Sequence, residues 1–268
     1  MAANYTILRW AGSKRQLVPL LSSYWRASQS KRYVEPFAGS ACLFFNVAPK
    51  EALLADINLE LIATYRQIKK DWKGVLAILE ELDQSKQTYY SLRSLDSKKI
   101  NNPLVRAARF VYLNRFCFNG LYRTNQSGQF NVPYGKTGSI PSELVFSRSS
   151  KLLKRAHLLA ADFDETLRYV RKGDFVYMDP PFSVHNKNIF TDYDSSKFDF
   201  KKLIRLRKWM RRLSRMRIPF LVSYLESNEA KMLSEGFYKR IISVRRSIAG
   251  FSSNRKAARE FLISNILV

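Results

Sequence analysis

Asp179-Pro180-Pro181-Phe182 sets an acidic side chain, two stiff backbone carbonyls and an aromatic ring in a row. The four residues follow Phe175-Val176-Tyr177-Met178, an apolar run that predicts a short buried strand. Two successive prolines donate no ladder hydrogen bonds, so the strand has to stop there with its end held stiff. In open α/β sheets the carboxyl ends of the strands are where ligands bind. A plain strand-to-loop stop is the alternative.

A second group of residues suits a nucleotide-type ligand. The strand candidate Arg32-Tyr33-Val34 runs into Glu35-Pro36-Phe37-Ala38-Gly39-Ser40, and helical periodicity is expected from about Ala41 through Leu43, Phe44 and Val47. Strand, tight glycine turn and helix N-terminus together make such a pocket. A further apolar strand, Ala52-Leu53-Leu54-Ala55, ends in Asp56, where an acid suits hydrogen bonding to ribose hydroxyls. The loop carries one glycine and so is not the dinucleotide fingerprint; a structural turn is the alternative. Upstream, Gly12-Ser13 beside Lys14 lets the backbone approach a ligand closely.

The elements that must position these residues alternate. Strands are expected at 32–34, 52–55, 157–160, 175–178, 220–223, 241–244 and 260–267, with helices between most of them. Seven strands interrupted by a helical insertion make an α/β, Rossmann-like sheet. A polar loop without a helix joins the last two strands, so they are expected to be antiparallel. From Leu59 to Phe118 the pattern is helical, with Asn102-Pro103 starting a helix. Residues 118–150 carry Gly, Asn and Ser turn signals between short strand-like pieces, a loop or hairpin rich in side chains that read bases.

Composition bounds the partners. The chain of 268 residues is 46% hydrophobic and 13% aromatic, enough for a proper core, and no apolar run approaches the roughly 20 residues a bilayer span needs. Residues 1–14 lack the apolar core of a signal peptide, so a cytoplasmic protein with reduced thiols is expected. Two cysteines and two histidines, far apart, argue against a metal site. Forty-six Lys and Arg face 22 acids, a formal charge of +24, and a polyanion would relieve that repulsion. The basic residues are spread over folded segments, which favours nucleic acid over membrane. Between 201 and 217, nine of 17 residues are Lys or Arg and none is acidic. Leu203, Leu206, Met210 and Leu213 still mark an apolar stripe there, so a solvated helix face on the sheet is expected; a phosphate-contacting or membrane-surface face is the alternative.

With these pieces in order, the sequence resembles the Dam-like DNA N6-adenine methyltransferases, the alpha-class amino methyltransferases of the D12 class, across almost its whole length. Trp10-Ala11-Gly12-Ser13-Lys14 looks like that family's N-terminal cofactor motif and Glu35-Pro36-Phe37-Ala38-Gly39 like its methionine-side loop. Ala55-Asp56-Ile57-Asn58 is similar to its ribose-binding strand end. Asn119-Gly120-Leu121-Tyr122-Arg123 with Phe130-Asn131-Val132-Pro133-Tyr134-Gly135 looks like its recognition hairpin. Asp179-Pro180-Pro181-Phe182 is similar to the catalytic Asp-Pro-Pro-Tyr, and Val244-Arg245-Arg246-Ser247-Ile248 to the segment before the last strand. Ala41 stands where the family usually has a second glycine, and Phe182 keeps the stacking face of the usual tyrosine without its hydroxyl.

The resemblance implies a catalytic domain of residues 1–58 and 151–268 and a target-recognition domain of 59–150. It implies S-adenosylmethionine as cofactor, held by Trp10, Lys14, Glu35, Phe37, Gly39, Asp56, Asp162, Phe163 and Asp179, and no metal. Asp179, Pro180, Pro181 and Phe182 are the expected catalytic residues. Double-stranded DNA is the expected partner, contacted by Arg9, Phe118, Asn119, Leu121, Arg123, Asn125, Pro133, Arg245 and Arg246, with GATC or a related GAT-containing site as target. A restriction endonuclease partner is left open. For Trp10, Phe37 and Phe163 the alternative is core packing, and for Lys14 a surface charge. Rival functions are a nicotinamide dehydrogenase, disfavoured by the missing glycines, a non-catalytic DNA-binding relative, disfavoured by Asp179 and both prolines, and an RNA methyltransferase.

Overall fold

The computed structural model describes residues 6–135, 137–181, 198–245 and 257–268. Its strands are β1 Arg32–Glu35, β2 Glu51–Asp56, β3 Ala156–Ala160, β4 Asp174–Met178, β5 Phe220–Leu225, β6 Tyr238–Arg245 and β7 Ala257–Ser264. Among the described residues they form one sheet in the order β3-β2-β1-β4-β5-β7-β6. The first five pair in parallel, and β7 runs antiparallel to both β5 and β6. This is a Rossmann-like α/β sheet with the expected seven strands and the expected antiparallel closing pair.

The chain builds outward from β1 in one direction to β2 and β3, then returns to β4 on the other side. The crevice at the carboxyl ends of β1 and β4 is therefore the topological switch point. β4 is buried on both faces, as its unbroken apolar run requires. Pro180 and Pro181 follow directly and end it.

Alternating strand residues feed two cores. On one face Tyr33, Leu54, Phe175, Tyr177 and Leu221 pack with helices α1 (Val18–Ser28), α2 (Cys42–Val47), α3 (Leu59–Glu80) and α5 (Pro103–Phe116). On the other, Val34, Leu53, Val176, Met178 and Val222 pack under α7 (Phe163–Thr166), α8 (Phe200–Arg215) and α9 (Asn228–Ser234). Complete burial of one Leu, Val, Phe or Met contributes about 1.5–3 kcal/mol before entropy, so this double core holds the crevice rigid.

The expected insertion opens with α3, which is capped by the Asn58 side chain accepting from Leu61 N. The first half of α3 lies on the sheet, and the helix kinks at Asp71. α4 (Lys86–Ser94) and α5 follow, then the irregular loop 117–142. α6 (Glu143–Leu153) crosses the expected boundary at residue 150. The hairpin expected in 118–150 is held by two isolated bridges, Cys117 to Tyr134 and Thr124 to Phe130, instead of by strands.

Ala41 differs from expectation. The helix starts at Cys42, and Ala41 is its buried N-cap, with φ 49° and ψ 36°. Left-handed backbone costs a non-glycine residue about 1–2 kcal/mol. A glycine at this position would avoid most of that cost.

Candidate active site

At the switch point a buried lysine organises the acids. The side chain of Lys14 is 3% exposed, so this residue is no surface charge. Its Nζ lies 3.0 Å from Asp179 Oδ1 and 3.7 Å from Glu260 Oε2, and it donates to Gly12 O at 3.0 Å. Asp179 Oδ1 also accepts from Ser223 Oγ at 2.8 Å, and Ser223 shares a 3.1 Å hydrogen bond with Tyr177 OH. β4 thus supplies the carboxylate, β5 and β7 brace it, and the N-terminal segment brings the opposing charge. Asp179 is 20% exposed, and Pro180 beneath it is buried.

Glu35, one strand over, is fully enclosed and accepts from Tyr33 OH at 3.1 Å. Burial holds its carboxyl well above the ordinary carboxylate value; the Tyr33 hydrogen bond opposes the rise, and the charges of Asp179 and Asp56 add to it. Burial and the neighbouring Glu35 push the Cys42 thiol up to about 11, so it is an unreactive packing residue.

The glycine turn is tied to the second strand. Gly39 N donates to Asp56 Oδ2 at 3.0 Å, Asn58 N donates to Oδ1 at 2.9 Å, and Tyr65 OH reaches Gly39 O at 2.7 Å. Burial raises the Asp56 pKa, and the two backbone donors oppose that rise. Gly39 has φ +46°, and a Cβ there would sit 2.9 Å from Trp10 Cδ1, so a side chain would be strained and would force Trp10 to shift. Phe37 stacks on Phe163 at 5.4 Å. Asp162 accepts from Asp164 N and so caps α7.

Trp10 joins this crevice to the insertion by stacking on Tyr122 at 5.7 Å, a contact worth about 0.5–1.5 kcal/mol beyond area burial. Arg9 and Asn114 form a two-way clasp, with Arg9 N on Oδ1 at 2.8 Å and Nδ2 on Arg9 O at 2.6 Å. The Arg9 guanidinium donates to the carbonyls of Arg115 and Thr137. Gly120, at φ +64°, leaves only 2.8 Å between an added Cβ and Arg9 Cβ, so Arg9 is pressed against the turn that carries Phe118, Asn119 and Leu121. Phe118 is 41% exposed. Pro133 lies beside it, because Phe118 N donates to Pro133 O. Arg123 is exposed on the same loop, oriented by Asn131 Oδ1 at 2.8 Å. Asn125 instead closes the loop tip, exchanging hydrogen bonds with Gln129.

The structure therefore gathers Lys14, Glu35, Gly39, Asp56 and Asp179 at one edge of the sheet. Phe182 and Arg246, and the side chain of Arg245, lie outside the described residues. Three contributors escaped the sequence reading: Ser223, Tyr177 and Glu260. Ser223 was marked by being the lone polar residue of Phe220-Leu221-Val222-Ser223, and Glu260 by preceding the apolar run Phe261-Leu262-Ile263.

Residues 10–248 match the family described as D12 class N6 adenine-specific DNA methyltransferase. The chain is 34% identical over 267 residues to the Type II methyltransferase M1.LlaDCHI of Lactococcus lactis subsp. cremoris, covering 96% of this chain and 94% of that protein. It is 31% identical over 274 residues to the DNA adenine methylase of Escherichia coli strain K12, covering 98% and 95%.

Proposed function

The chain belongs to the D12 class of N6 adenine-specific DNA methyltransferases, and from that membership we propose that it methylates a flipped-out adenine in duplex DNA, within GATC or a related GAT-containing site. The observation that carries this reading is Asp179, a partly exposed carboxylate fixed at the end of β4 between Ser223 and Lys14 and followed by two prolines.

The exocyclic nitrogen of adenine is a poor nucleophile because its lone pair is delocalised into the ring. Hydrogen-bond acceptors on its two protons draw that lone pair back onto nitrogen. Asp179 and the Pro180 carbonyl fit the two acceptor positions. Among the described residues, the contacts from Ser223 and Lys14 both fall on Oδ1, which leaves Oδ2 to receive the amine. Phe182 is the proposed stacking platform; an aromatic–base stack of about 1–3 kcal/mol offsets part of the few kcal/mol that flipping costs.

S-adenosylmethionine, the methyl donor of the family, supplies an activated sulfonium methyl when bound. The residues present fit it. Asp56 at the end of β2 suits the ribose hydroxyls, the Phe37–Phe163 pair an adenine ring, and the bare backbone of Gly39 beside Trp10 the methionine end. Asp162, Glu35 and Lys14 complete the proposed pocket, and alignment in a dry crevice is the main catalytic requirement.

For DNA, Arg123 is the proposed guanine reader, Phe118 the wedge beside the flipped base, and Asn119, Leu121, Pro133 and Arg9 their supports. Arg245 and Arg246 are assigned to phosphates. Asn125 acts through the shape of the loop tip. The proposed setting is the cytoplasm, where duplex DNA would be met; separately, among the described residues no helix is long and apolar enough to cross a membrane. Labelled methyl transfer to unmethylated duplex DNA, with RNA of the same sequence beside it, tests the reading; transfer to RNA alone would replace it.

A further inference from the structure

We propose that the outward face of α8 is a second binding surface for duplex DNA, separate from the recognition insertion, through which one protein molecule holds two DNA segments at once. The proposal rests on duplex DNA being the substrate.

At about 100° per residue, Lys201, Lys208, Arg212 and Arg215 fall within a sector of about 60°, with Arg211 about 40° to one side of it. They span about 21 Å of axis at 1.5 Å per residue, a row of charge of the length a duplex edge offers in phosphates. All five are exposed, as is Arg217 just beyond the helix.

The flanks are neutralised and the crest is not. Arg205 faces Asp162 and Asp164 at 4.0 and 3.6 Å, and Arg207 pairs with Glu235. These acids neutralise the two flanking arginines and leave the outward stripe to solvent. Arg212 lies over the Trp209 ring at 4.8 Å, which orients its guanidinium without cancelling its charge.

Position excludes a share in the first duplex. Leu203, Leu206, Met210 and Leu213 pack α8 onto the sheet face opposite the one that carries α5, Tyr122 and Phe130. Because β4 and β5 are parallel, α8 runs back from the carboxyl edge, so Arg211, Arg212 and Arg215 lie toward the edge away from Asp179. Its apolar stripe is already used by the core, which removes the buried face that an interfacial membrane helix needs. Phe200 and Met216 are exposed only at the two ends of the helix, so the stripe between them is charge, which suits a phosphate backbone.

The test compares the full chain with a variant carrying Lys208→Gln, Arg211→Gln, Arg212→Gln and Arg215→Gln, using a 20-base-pair duplex with one target site and measuring stoichiometry by sedimentation. Wild type is expected to take up two duplexes at low salt, the second with a log–log salt slope of about −3 to −4 for four phosphates. It should also release labelled duplex faster as unlabelled duplex is raised. The variant should bind one duplex, lose the competitor-driven release, and methylate that duplex at the wild-type rate. A variant that still binds two duplexes, or a wild type that binds only one, overturns the proposal. So does capture of wild type but not variant by phosphatidylserine vesicles with no second duplex bound, which would assign the face to a membrane. A wild type that holds two duplexes but methylates neither contradicts only the catalytic reading.

Discussion

Lys14 Nζ lies 3.0 Å from Asp179 Oδ1, with the carboxylate of Glu260 on its other side at 3.7 Å, and Lys14 and Glu260 are almost wholly buried. The acid placed for chemistry is thus also half of a structural ion pair. Removing one partner of a buried pair leaves an uncompensated charge at a cost of about 3–5 kcal/mol. Lys14→Met is expected to lose about that much in urea denaturation, and the further change Glu260→Gln should recover part of it. Equal, additive losses for the two changes would show that they do not interact.

Glu35 sets a pH dependence of stability. Its folded pKa is raised well above the ordinary 4.5 by burial, so the folded chain keeps a proton that the unfolded chain releases. The contribution is complete below about pH 4.5 and declines as pH rises through the folded value. Glu35→Gln keeps an acceptor for Tyr33 OH without the titration. The variant should match wild type near pH 4 and exceed it in urea midpoint at pH 8. An identical pH profile for the two proteins would mean that Glu35 is not held protonated.

Much of this was legible in the chain. Most of the seven strands were visible because short apolar runs stand between turn signals, and Asp179 and Asp56 were visible because each closes such a run. Lys14 was ambiguous, since a lysine after Gly-Ser reads equally as a surface charge; the carboxylates of Asp179 and Glu260, 165 and 246 positions away, help to make its burial tolerable. The loop 117–142 could not be resolved into strands because its form depends on contacts with Arg9 and Trp10 far upstream.

Ala41 carries backbone strain that glycine would relieve. The 1–2 kcal/mol cost of the left-handed conformation is partly offset by the greater unfolded-state entropy of glycine, about 0.5–1 kcal/mol. Ala41→Gly should therefore leave stability unchanged or raise it by up to about 1.5 kcal/mol. Ala41→Val, β-branched at φ 49°, should lose more than about 2 kcal/mol. Thermal denaturation of the two variants checks the order, and a valine variant as stable as wild type would contradict the assigned backbone.

Arg123 is exposed and oriented by Asn131, so its loss should be felt in sequence preference more than in folding. Arg123→Ala is expected to relax discrimination at one base pair by about 1–3 kcal/mol while cofactor binding is unchanged. Mapping of methylated adenines in genomic DNA reads this directly. Modified adenines lying mainly outside GAT contexts in the wild type would transfer the specificity to Tyr122, Thr124 and Gln126.

On the proposed mechanism, the carboxylate of Asp179 at the end of β4 accepts a hydrogen bond from the adenine amine during methyl transfer. Single-turnover transfer of a labelled methyl group to an unmethylated duplex, with wild type and Asp179→Ala side by side, tests it most directly. The account predicts transfer to adenine N6 by the wild type, and none above background by a folded variant that still binds DNA and S-adenosylmethionine. A variant that methylates at a rate near wild type would contradict it.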